Sequence, residues 1–143
     1  MTDPKVLASL SHALRKTVVE MIHHAGSGHS GGSLSCCEIL TVLYEDFMRV
    51  DPKNPRQEGR DRLILSKGHA APALYATLAR KGFFDPALLV SLRAFESPLQ
   101  GHPCMELPGV EMSTGSLGLG LPAGCGMALS LRGRGEAGRV YVL

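Results

Sequence analysis

No stretch of this 143-residue chain comes near the roughly 18 apolar residues of a membrane span, and its amino terminus lacks the apolar region of a secretion signal. A long basic run is also missing. The 15 Lys and Arg against 13 Asp and Glu leave a formal charge of +2, too small to argue for a nucleic-acid partner. The four cysteines, Cys36, Cys37, Cys104 and Cys125, show no C-x-x-C spacing. Adjacent Cys36 and Cys37 read as reduced core residues on a helical stretch rather than as a disulfide. There is no H-E-x-x-H, no Cys/His cluster and no G-x-S-x-G, so a zinc site and a serine-nucleophile elbow lose their sequence support. What remains is a globular domain, expected in the cytoplasm. A hydrophobic content of 44% and a charged content of 20% suit that class, and the length suits one ordinary domain.

Periodicity and punctuation predict a helix-rich chain. Asp3-Pro4 supplies a capping carboxylate and then proline at the first helical position. Val6, Leu7, Leu10, Leu14, Val18, Met21 and Ile22 follow in helical steps up to a stop at Gly26. Residues 27–32 read as a glycine- and serine-rich loop. Ser35 and Glu38 have the spacing of a capping box, which predicts a second, deeply buried helix reaching about Met48. Residues 51–61 read as a surface loop, and the apolar run 62–66 as a buried parallel strand. Helices are predicted over about 70–80, 85–95 and 117–131, with a long aperiodic loop at 97–116 and a second buried strand at 140–143. Strand, crossover helices and strand make an α/β layer around a parallel sheet. Ligands of such sheets bind beyond the carboxyl ends of the strands. The first strand runs directly into Ser66-Lys67-Gly68-His69.

Three histidines each follow a glycine, at Gly28-His29, Gly68-His69 and Gly101-His102. Glycine lets a ligand approach the backbone, and imidazole can donate or accept near neutral pH. Together they suggest one pocket assembled from three loops, although a lone histidine is more often structural. His12, His23 and His24 read as surface or boundary residues. The stretch 26–31 matches G-x-G-x-x-G, but a helix precedes it where a dinucleotide site needs a strand. It is therefore either an inter-helix linker or a ligand-facing loop. Residues 115–120 (GSLGLG) precede a helix and expose backbone N–H groups suited to a diphosphate or another anion. They lack a P-loop ending, and close packing of the following helix is the other reading, which the later Gly124 and Gly126 are expected to serve.

The segments GHSGGSLS, DRLILSKGHAAPALYATLARKGFF, QGHP and PGVEMSTGSLGLGLPAGCGMALS resemble the N-terminal part of transketolase. More narrowly, they resemble the N-terminal subunit of split bacterial transketolases. The resemblance implies a thiamine diphosphate enzyme of carbohydrate metabolism and the pentose phosphate pathway, a transferase moving a two-carbon ketol unit between sugar phosphates. It implies an α/β fold, an incomplete thiamine diphosphate-binding fold with a parallel sheet core and flanking helices. By matching motifs, His29 would contact substrate oxygens, His69 would lie by the cofactor diphosphate, and His102 would bond the donor hydroxyls and help move their protons. Gly115, Ser116 and Leu117 would meet the cofactor through backbone groups.

The chain departs from the family pattern at Cys104, where an acidic residue is usual, and at Leu119, where a polar side chain is usual. The family's G-D-G and later asparagine, which hold Mg2+, are not among the 143 residues. Residues 1–143 are accordingly expected to be the N-terminal part of a transketolase-like diphosphate-binding domain, truncated before the metal motif and inactive alone. The alternatives are a subunit completed by a partner chain, such as a C-terminal transketolase subunit, or by a second copy, a fragment like 1-deoxyxylulose-5-phosphate synthase, and a non-catalytic interaction module. An apolar strand at the sheet edge also leads us to expect poor solubility or self-association.

Overall fold

A computed structural model describes residues 1–143. The first helix, α1 (Pro4–Ala25), starts and stops where the local grammar says. The Asp3 carboxylate accepts from Lys5 N at 2.8 Å, and Gly26 closes the helix at φ 59° with its N–H returned to the His23 carbonyl. Left-handed backbone of this kind favours glycine. Leu14, Val18 and Met21 face the core, whereas Val6 near the start is exposed.

The next stretch corrects two expectations. Residues 27–32 are not all loop, because Ser30–Leu34 forms a short helix, α2, with Ser33 fully buried. The following helix, α3 (Cys37–Val42), widens into a π-helical turn over Leu43–Phe47. Ser35 does not cap it. The Ser35 N–H is already used by the Gly31 carbonyl, and its hydroxyl donates to the Gly32 carbonyl at 3.0 Å. Glu38 pairs with Arg15 at 2.9 Å instead of turning back. Nor is α3 deeply buried all round. Leu40 and Tyr44 point inward, but Ile39 and Phe47 are 46% and 49% exposed. The helix packs its inner side on α1, and on its outer side Ile39, Val42, Leu43 and Phe47 line an apolar hollow with Tyr141.

Strand β1 (Arg62–Ile64) pairs in parallel with β2 (Val140–Val142), matching Arg62 to Val140 and Ile64 to Val142. The two form a two-stranded sheet. Both strands are shorter than expected, and β2 is half-buried rather than buried because β1 is its one strand partner. Between them, a 3-10 turn at Gly68–Ala70 leads into α4 (Ala71–Lys81), whose residues 71–79 are all buried. Pro72 lies in its first turn, where no N–H is needed.

The predicted fourth helix is only a 3-10 stretch, Pro86–Ser91, capped by Asp85. Leu92 turns extended and is 3% exposed, and Arg93 and Glu96 adopt φ of 61° and 60°. Burying Leu92 and Leu99 thus overrides local helix preference. The last helix, α5 (Gly120–Gly133), begins three residues late because Gly118 sits at φ 89°.

Alternation along β1 sorts the layers. Leu63 and Leu65 join the main core with Leu14, Val18, Leu40, Leu74, Tyr75 and Leu78. Ile64 faces α5, where a Cβ on Gly124 would stand 3.6 Å from its Cδ1 and 2.5 Å from Val142 Cγ2. Gly124 therefore lets α5 lie directly on the strands, whereas Gly126, expected to pack as closely, faces open space. No helix is long and apolar enough to cross a membrane.

Candidate ligand-binding site

Residues 66–69, at the carboxyl end of β1, place Gly68-His69 at the mouth of the sheet. Three loops meet there. The first descends from α1. Gly28 holds φ 156°, and a Cβ on it would stand 2.9 Å from Ile22 Cγ1, so the chain can turn back and present His29 just before α2. The His29 and His69 rings are edge-to-face with centroids 5.3 Å apart. Gly32 of α2 lies so close that a Cβ there would be 2.7 Å from His69 Nε2.

The third loop, 97–116, comes in from the other side. A Cβ on Gly68 would meet Thr114 Oγ1 at 2.7 Å, and one on Gly115 would be 3.6 Å from His102 Cδ2. The histidines thus form a connected row, His29 on His69, Gly68 on Thr114, and Gly115 against His102. His29, His102, Gly115, Ser116 and Leu117 are exposed, and His69 is half-buried. These contacts link His29, His69, His102 and Gly115, and Ser116 and Leu117 follow Gly115 in the chain. His12, His23 and His24 lie exposed on α1.

Charge at this mouth favours an anion. The first N–H groups of a helix lack intrahelical partners and carry partial positive charge, and those of α5 lie beside Ser66, where a Cβ on Gly120 would stand 2.5 Å from the serine Cβ. Lys67 adds a full positive charge. Its ammonium donates to the Gly32 carbonyl at 3.0 Å and to Ser35 Oγ at 2.9 Å, tying the strand end to α2.

Three contributors escaped sequence reasoning: Lys67, Thr114 and Tyr75. Thr114 Oγ1 is buried without any hydrogen-bond partner. Tyr75, fully buried in α4, directs its hydroxyl to the carbonyls of Gln100 and His102 at 2.9 and 3.0 Å. One phenolic proton is shared between two acceptors, and it fixes the height at which His102 leaves the core. Replacing Tyr75 with phenylalanine should cost about 1–2 kcal/mol, since two carbonyls lose their donor. A thermal melt reads this directly, and an unchanged midpoint would show the hydroxyl to be idle. Nothing in the local pattern marks Tyr75, which sits in an apolar helix run like any core residue.

Cys36 and Cys37 lie fully buried behind α2. Burial, with Cys36 and Glu38 nearby, pushes the Cys37 thiol up to about 11, and burial raises Cys36 against the opposing pull of Lys67. All four cysteines are unpaired.

The sequence profile of the family described as "Transketolase, thiamine diphosphate binding domain" matches residues 7–137. The chain is 47% identical over 129 residues to one subunit of an apulose-4-phosphate transketolase of Phocaeicola vulgatus, covering 90% of this chain and 46% of that one. It is 49% identical over 123 residues to a 6-deoxy-6-sulfo-D-fructose transketolase subunit of a Clostridium species, covering 85% and 45%. Among solved structures, the transketolase of Campylobacter jejuni superposes with a TM-score of 0.85 at 36% identity, covering 92% of this chain and 21% of that one. The chain thus spans just under half the length of the two subunits and about a fifth of the longer enzyme.

Proposed function

This chain belongs to the transketolase thiamine diphosphate-binding domain family, and from that premise we propose that its three-loop mouth receives the diphosphate end of the cofactor and the donor sugar of a transketolase. The observation that carries this reading is the convergence of His29, His69 and His102 with the glycine cradle at the carboxyl end of β1. The reaction would transfer a two-carbon ketol unit from a ketose phosphate to an aldose phosphate. The unpaired cysteines suit a reducing compartment such as the cytoplasm.

The residues present fit the cofactor. A buried Thr114 hydroxyl without a protein partner, beside glycines that leave the backbone open, is what a ligand oxygen would satisfy. His69, Thr114 and the backbone of Gly115, Ser116 and Leu117 would hold it. Thiamine diphosphate, when bound, supplies the carbon nucleophile and electron sink that no side chain offers. His29 and His102, at the exposed rim, would hydrogen-bond the sugar oxygens and carry protons to and from them as carbonyl and hydroxyl interconvert. Lys67 would hold α2, and with it Gly32, in contact with His69.

The divalent ion implied by the family does not fit these side chains. No three His, Cys, Asp or Glu residues come together to hold one, and no step is assigned to it. Two of the relatives are named as subunits of their transketolases, which supports a companion chain here, and a second copy would serve the same purpose if the site closes at an interface. This chain alone is expected to bind the cofactor weakly and to have no turnover.

Titrating thiamine diphosphate into the isotopically labelled chain should shift the amide signals of Thr114, Gly115, Ser116 and Leu117 and the ring signals of His69, with a Kd weaker than about 100 μM. His69→Ala should abolish the shifts. Shifts confined to another surface, or none at millimolar cofactor, would refute the proposal.

A further inference from the structure

The loop 97–116 has no regular structure, yet it carries His102 near one end and Thr114 to Leu117 near the other. Its two limbs are pinned near the site by Thr114 N donating to the Pro103 carbonyl at 3.3 Å and Met105 N donating to Ser113 Oγ at 3.0 Å. Its far end is plugged by Leu107 and Val110, which are 5% and 8% exposed. Apolar contacts hold that end down but are non-directional, so they do not set how far the loop sits along the strand.

Glu111 supplies the direction. Its carboxylate pairs with Arg60 at 2.9 Å and faces Arg62 Nε at 3.8 Å, with all three side chains largely buried. Arg60 Nε also donates to the Pro55 carbonyl at 2.6 Å. Arg62 is the first residue of β1, the strand whose other end carries His69.

This cluster is a poor device for stability. Burial raises the carboxyl of Glu111 above its ordinary range even with Arg60 and Arg62 beside it. The Nη1 groups of both arginines are buried without partners. A buried pair of this kind roughly breaks even against apolar packing, and its well-attested use is to fix a register.

We propose that Glu111 is a positioning residue that locks the 103–114 loop to β1, so that His102 and the Thr114–Leu117 turn stand at a set distance from His69. The proposal rests on the site reading above, and it goes beyond that reading by locating what holds the site's third loop in place.

The test compares the full chain with Glu111→Gln, which keeps the shape and removes the charge, and with Glu111→Asp, which keeps the charge and shortens the reach. In the absence of cofactor, exchange of the Thr114 amide should accelerate by about tenfold relative to amides inside α1. The His102 ring signals should move while those of His29 stay in place. These readouts do not depend on thiamine diphosphate, so a failed cofactor titration and a failed clasp are separate results. Unchanged Thr114 exchange and His102 signals would overturn the proposal. So would a uniform acceleration of all amides, or outright unfolding of both variants, since either makes the cluster a general stability element.

Discussion

Replacing Asp61 with alanine is expected to destabilise the chain by about 3 kcal/mol, a large share of the 5–15 kcal/mol that holds a typical domain together. Asp61 is 1% exposed. One oxygen accepts from the Arg139 N–H at 2.8 Å, just ahead of β2, and the other from the Arg49 N–H at 2.8 Å, just after the π-helical turn. The same carboxylate meets the Arg49 guanidinium at 3.3 Å, but that side chain is 60% exposed, so the ion pair itself contributes little. The backbone donors decide the outcome. Removing the carboxylate strands two N–H groups and unties the start of β2 from the chain after the π-helical turn, while its pairing with β1 remains. Urea denaturation should show Asp61→Ala well below the parent and Asp61→Asn, which keeps one acceptor oxygen, in between. Equal midpoints would mean that water replaces the carboxylate at no cost.

The same residue sets the acid limb of stability. Burial alone would raise the Asp61 carboxyl, but the N–H groups of Arg49 and Arg139 and the Arg49 guanidinium outweigh it and hold the group below its ordinary value. A depressed folded value means that the stabilisation is full above the unfolded value, about pH 4, and is lost as pH falls through the folded one. Glu111 has the opposite sign. Its raised folded value means that ionisation opposes folding, so this group favours the folded state toward acid. Asp61→Asn should therefore flatten the loss of stability below about pH 4.

What could be read from the sequence was local. Asp3, Pro4 and Gly26 are contiguous signals, and α1 has the bounds they indicate. The short apolar runs that start at Arg62 and Val140, each after a polar stretch, stood out as strands, and Arg62–Ile64 pairs in parallel with Val140–Val142. His29, His69 and His102 stand out in the sequence because glycine precedes each, and of those glycines Gly68 is the one pressed against another of the three loops, at Thr114. Misreadings arose where distant residues intervene. Ser35 has the spacing of a cap, but Lys67, 32 positions away, claims its hydroxyl. The 85–95 helix fails because Leu92 and Leu99 are worth more in the core than a continued helix is to the backbone. Tyr75, Thr114, Arg60 and Glu111 act across long separations, so no window of neighbouring residues contains their meaning. Ile39 and Phe47 keep the apolar period of α3 and its π-helical turn yet stay half exposed, because helical periodicity marks an apolar position and not whether the chain covers it.

Gly120→Ala should damage both stability and the site, although alanine is the better helix former. In an exposed helix interior the change would gain about 1 kcal/mol. Here a Cβ would stand 2.5 Å from Ser66 Cβ and 2.7 Å from Ser66 Cα. The second contact is with backbone, so no rotamer change relieves it. Restoring van der Waals separation moves the start of α5 away from the end of β1 by about 1 Å, and overpacking of this kind costs about 1–3 kcal/mol. The displaced end carries the 115–119 turn, so the signals of Gly115 to Leu117 should no longer respond to thiamine diphosphate. Gly126→Ala on the same helix is the control, because a Cβ there meets nothing within 4 Å. That variant should melt at or above the parent temperature and keep the cofactor response. If Gly120→Ala melts like Gly126→Ala and still answers the cofactor, α5 does not rest on Ser66 closely enough to set the height of the turn, and the anion cradle loses its support.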